Sequence, residues 1–99
     1  MTEVTFSRYD TADYLQTEED IAAYLDAVLE EGGDDPAVII HALADVARAR
    51  NMSRLAKDAG ISREGLYKAL SETGNPSFAT VVKLAGALGL RINFTPVHH

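Results

Sequence analysis

The stretch from Asn51 to Pro76, NMSRLAKDAGISREGLYKALSETGNP, constrains the fold more than any other part of the chain. It reads as two short helices joined by a tight turn and followed by an exit loop. Asn51 or Ser53 supplies the oxygen that caps the first helix, and Leu55, Ala56 and Ala59 give it one apolar face. Gly60 stops it, because glycine enters the left-handed conformation of a helix end without a Cβ clash. Ile61 plugs the turn, Ser62 caps the next helix, and Leu66 and Leu70, four apart, face back toward the first. Arg63, Glu64, Tyr67 and Lys68 point elsewhere. Small Ala56, a glycine in the turn and apolar Leu66 suit two helices that cross steeply. That is the helix-turn-helix arrangement, whose second helix lies in the DNA major groove.

Charge is divided along the chain in a way that the net value of −6 conceals. Residues 1–46 hold twelve acids against one base, Arg8, whereas residues 47–99 hold eight bases against three acids. The basic half fits a polyanion, and the acidic half fits a basic protein or solvent. At 99 residues with 46% hydrophobic side chains, the chain makes one domain with a modest core, or one domain with an appended arm. Without cysteine it has neither disulfides nor a zinc-thiolate site, which suits a reducing cytoplasm. No apolar run approaches the roughly 18 residues that span a bilayer. MTEVTFSRYD has neither the basic start nor the apolar block of a secretion signal, so a cytoplasmic protein is expected.

In residues 1–16, Phe6, Tyr9, Tyr14 and Leu15 stand among acids and threonines, more large side chains than a solvated tail needs. They either dock on the domain's own core or await a partner. Thr17 opens a capping box with Asp20, and Ile21, Tyr24, Leu25, Val28 and Leu29 form one stripe on a helix that ends at Gly32-Gly33. Asp34, Asp35 and Pro36 start the next helix, which buries Ile39, Ala42, Leu43, Val46 and Ala47 and leaves His41 in solvent. Ser77 caps a last helix whose Phe78, Val81, Val82, Leu84, Ala85 and Leu88 make it apolar on more than one side, as a helix with a dimer partner would be. Gly86 permits close packing there, and Gly89 ends the helix. Arg91 to Thr95 alternates polar and apolar like a half-buried strand, which must pair across a twofold axis or with another chain. His98 and His99, a cloning remnant or a frayed end, are set aside.

The segment LAKDAGISREGLYKALSETGNPSFATVVKLAGALGL resembles the lambda-repressor-like XRE/Cro-type helix-turn-helix family. DTADYL, EEDIAAYLDAVLEE, LADVARARNMSRLAK and SREGLYKALSETGNPSF, spread from Phe6 to Phe94, resemble one branch of it, the HigA-like antidotes of bacterial addiction modules. Its most specific parts are Ser62 to Tyr67 and Gly74-Asn75-Pro76. The resemblance implies an all-α domain of about five helices with a short C-terminal β-strand. It implies a homodimer that binds its own operator DNA, represses its operon and neutralises a small RelE/ParE-type toxin. Residues 1–33 would be the acidic arm and helix that meet the toxin, and residues 34–97 the DNA-binding and dimerisation domain. Met52 departs from the wider repressor pattern, in which a glutamine often opens the first helix of the motif, and this removes one familiar phosphate contact.

In such a helix the first turn reads bases, and contacts on either side hold phosphates. Arg63 matches the O6 and N7 acceptors of guanine. Glu64 either accepts from a cytosine amino group or holds Arg63 or Lys68 in place. Tyr67 offers its hydroxyl to a phosphate, offers its ring to a thymine methyl, or packs on the adjoining helix. Gly65 costs about 1 kcal/mol against alanine in a helix, so either DNA approaches its backbone closely or a neighbouring helix crowds it. Arg50, Arg54, Lys68, Thr73 and Asn75 suit phosphates, with Ser62 shared between cap and DNA. Phe6, Tyr9, Tyr14, Leu15 and Tyr24 are the candidate toxin contacts. No nucleophile with a base, metal cluster or cofactor motif stands out, so a non-catalytic protein is expected. The competing readings are a stand-alone phage-type or chromosomal repressor and an interaction module that keeps the motif as scaffold.

Overall fold

The computed structural model describes residues 15–97. That part folds into five α-helices: α1 (Glu18–Gly32), α2 (Pro36–Ala49), α3 (Met52–Ala59), α4 (Arg63–Ala69) and α5 (Phe78–Ala87). Each helix starts on a side-chain oxygen that accepts one of its orphan N–H groups. Thr17 and Asp20 form a reciprocal capping box on α1, with Glu18, Glu19 and Asp20 in the turn that the helix dipole makes attractive to acids. Asp35 caps α2, with Pro36 at its first position. Ser62 caps α4 and Ser77 caps α5.

Of the two candidate caps for α3, the structure uses Asn51, whose Oδ1 accepts from the Arg54 N–H at 3.1 Å. Asn51 has φ +79°, a conformation that side chains with a Cβ seldom adopt, and only Arg50 and Asn51 separate α2 from α3. Gly60, at φ +75°, closes α3: its N–H donates to the Lys57 carbonyl at 3.1 Å and the Ile61 N–H donates to the Ala56 carbonyl at 3.0 Å. This paired closure returns the chain sharply and swings Ile61 against the core.

Leu15, Ile21, Leu43, Val46, Ala47, Leu55, Ala56, Leu66, Leu70, Leu84 and Leu88 form one continuous core. Helix α1 packs along α2, and α3 lies against α2, α4 and α5. Leu15 and Ile21 share that core with Leu66 and Leu84, so no break in packing falls at residue 33. Burying a leucine of this kind stabilises by about 1.5–3 kcal/mol.

The expected C-terminal strand is not seen. Residues 90–97 carry no regular structure, with Phe94 and Val97 exposed. The described chain offers no neighbouring strand, and an unpaired strand leaves a ladder of N–H and C=O groups without partners. No helix among the described residues is long and apolar enough to cross a membrane.

Candidate functional site

Helix α4 is anchored by one side. Leu66 is fully buried and Leu70, at its C-terminal boundary, is nearly so, whereas Arg63, Glu64, Gly65, Tyr67 and Lys68 all face solvent. The i, i+4 leucines therefore fix the roll of the helix and turn its polar face outward. The Arg63 guanidinium lies 5.4 Å from the centre of the Tyr67 ring, a cation–π contact one turn along the helix. Tyr67, 49% exposed, carries Arg63 on its ring face. No acid among the described residues pairs with Arg63 or Lys68, so Glu64 does not hold either in place.

Of the two explanations for Gly65, crowding by a neighbouring helix is not what surrounds it. A Cβ there would lie 2.8 Å from Ser62 Oγ and near nothing else, so no neighbouring helix crowds it. Ser62 Oγ accepts from the Gly65 N–H at 2.9 Å. The glycine leaves room for the cap that starts the helix.

The exit loop is pressed onto the end of α4. The Ser71 hydroxyl donates to the Lys68 carbonyl at 2.9 Å, and a Cβ on Gly74 would fall 2.2 Å from the Ala69 carbonyl oxygen. Only a glycine lets the loop lie this close, and it leaves Thr73 and Asn75 exposed just beyond the helix.

Arg50 and Arg54 come together elsewhere. They line a cleft of about 290 Å³ with Leu55, Asp58, Ala87 and Leu88, walled by α3 and the end of α5 without any residue of α4. Arg54 Nε is 3.9 Å from Asp58 Oδ2, a loose exposed pair of small energetic weight.

On the acidic side, Leu15 is a core residue with no surface to offer a partner in this fold. Phe6, Tyr9 and Tyr14 lie outside the described residues. Tyr24 is half-buried between α1 and α2, and its hydroxyl donates to Asp45 Oδ2 at 2.9 Å. Asp45 also receives Arg48, and His41 Nδ1 stands 3.7 Å away, with the His41 side chain mostly in solvent. Burial, then the bond to Asp45 and its negative charge, push the Tyr24 hydroxyl up to about 12. Sequence reasoning missed both this interhelical pin and the Arg63–Tyr67 stack. The stack had a visible signal, an arginine four residues before an aromatic, whereas Asp45 on the edge of an apolar stripe gave none that named its partner on another helix.

Comparison with known proteins follows the same span. Residues 5–96 match a family model described as a probable addiction module antidote protein. A Haemophilus influenzae protein, itself described only as an uncharacterized protein, is 59% identical over 83 residues, which is 84% of each chain. No solved structure matches. The match takes in residues 5–16 of the acidic arm, all five helices and the exposed face of α4. The chain belongs to the family of probable addiction module antidote proteins.

Proposed function

We propose that this protein is an antitoxin of the HigA-like, XRE/Cro-type branch. In this reading it neutralises a RelE/ParE-type toxin and represses its own operon as a homodimer on palindromic DNA. The observation that carries the DNA half is the exposed polar face of α4, with Leu66 alone of its interior residues buried. Arg63, presented on Tyr67, would read guanine; Glu64 would accept from a cytosine; Lys68, Thr73 and Asn75 would hold phosphates beside the helix. Arg50 and Arg54, at the α3–α5 cleft, would meet the backbone farther along the duplex.

Dimerisation is supported by α5, where Phe78 is 65% exposed and Val82 is also uncovered on a helix whose Leu84 and Leu88 are buried. A twofold dimer places its recognition helices about 34–36 Å apart, one turn of DNA, or a multiple of that. The protein would act by binding alone, without a catalytic centre or cofactor.

Gel shifts on the gene's own promoter, together with co-purification of the neighbouring gene's product, test the reading. Salt-sensitive binding to a palindrome and recovery of a small toxin support it. A shift without any toxin partner would instead favour a stand-alone repressor, and no shift at all would favour a scaffold.

A further inference from the structure

We infer that the shallow apolar groove between α1 and α2 is the docking site for a basic, amphipathic segment of the toxin. This rests on the antitoxin reading and goes further, since it places the contact in the groove that α1 forms with α2 rather than on residues 1–33 alone. The groove, about 320 Å³, is lined by Tyr24 and Val28 from α1 and by Ala37, Val38, His41 and Ala42 from α2. Val38 is 39% exposed, and His41 is the groove's one ionisable side chain apart from the Tyr24 phenol.

The frame around this floor is acidic apart from Arg48, which pairs with Asp45 at one edge. From residue 15 to residue 47 the chain carries nine acids and neither lysine nor arginine. At 100° per residue, Asp20 and Glu31 fall beside Tyr24 on α1, and Asp34 and Asp35 form the loop at the start of α2. An apolar floor in an acidic frame selects a polypeptide that inserts aliphatic or aromatic anchors and flanks them with lysine or arginine. It repels duplex DNA and anionic lipid. A second copy of this chain, itself net negative, is a poor occupant, because its α1–α2 face would meet like charge.

The groove is also built before anything binds. The Tyr24 hydroxyl is tied to Asp45 at 2.9 Å, and Asp45 is held in turn by Arg48, so one wall is pinned to the other. A Cβ on Gly32 would sit 3.0 Å from Val38 Cγ1, so the glycine lets the start of α2 close onto the end of α1. A partner therefore has little ordering to do on this side.

The test uses the full-length protein and the purified product of the toxin gene adjoining its own. Val38→Lys/His41→Lys places two positive charges at exposed positions of the groove. The expected result is toxin affinity weakened by about tenfold or more, with melting temperature and promoter binding unchanged. Hydrogen exchange on the native complex is the second measurement. New protection in α1 and α2 supports the groove, and protection confined to other segments overturns it whatever the variant does. If the variant binds toxin as tightly as the native chain, the groove is wrong while the antitoxin reading stands. If the native chain does not bind that toxin at all, both fall.

Discussion

Asn51 shows how much of this protein depends on single residues placed where the chain must turn. It must cap α3 while holding a left-handed backbone, and asparagine tolerates both better than most side chains. Asn51→Ala loses the cap and keeps the strain, so chemical denaturation should show a loss of about 1–3 kcal/mol, whereas Asn51→Gly, which relieves the strain, should lose less. Equal losses would mean that φ +79° carries no strain. The arginine and tyrosine on α4 permit a finer test. Tyr67→Phe keeps the ring under Arg63, and Tyr67→Leu removes it. Specific DNA affinity should hold in the first and fall about two- to fivefold in the second, because an exposed cation–π contact contributes about 0.5–1 kcal/mol. A Phe variant as weak as the Leu variant would assign the role to the hydroxyl instead. Caps and glycine stops were legible because their chemistry is local: Thr17, Ser62, Ser77, Gly60 and Gly89 act on backbone within four residues. Gly65 was not, since its close contact with the hydroxyl of its own cap is one that no propensity scale records.

At the scale of elements, periodicity located all five described helices, because each buries a stripe at helical spacing. It located the final strand wrongly, because alternation in Arg91 to Thr95 describes what a strand would bury and cannot supply the partner strand. The relation of α1 to α2 was equally hidden until Tyr24 and Asp45 were seen to meet. That contact has a pH signature. The Tyr24 hydroxyl titrates near 12 in the folded chain against an ordinary 10, so folding favours its protonated form. The resulting stability is fully present below pH 10 and is lost as pH rises toward 12. Tyr24→Phe removes that difference and, at neutral pH, costs about 1 kcal/mol for the lost hydrogen bond. Urea titrations at pH 8 and pH 11 should therefore converge for the two proteins at the alkaline end; a constant gap would show that Tyr24 does not feel Asp45.

The whole molecule sets two chemistries on one shared core. Acids concentrate on α1 and the loop before α2, bases on the segment from Arg48 onward, and Leu15, Ile21, Leu66 and Leu84 join the two halves. That organisation was legible from charge along the sequence, but the uncovered faces were not, since exposure of Phe78 or Val38 depends on which neighbours the fold supplies. Phe78→Glu should leave the helical fold intact and shift the molar mass in light scattering from dimer to monomer; a monomeric native chain would remove α5 as a dimer face. The most direct test of the central claim, that α4 grips and reads DNA, is to titrate native protein and Arg63→Ala against the promoter palindrome and against random duplex over a range of salt. The expected result is a loss of about 1–3 kcal/mol on the palindrome, little change on random DNA, and a salt slope kept by the remaining phosphate contacts. Equal losses on both duplexes, or no binding by the native chain, would contradict it.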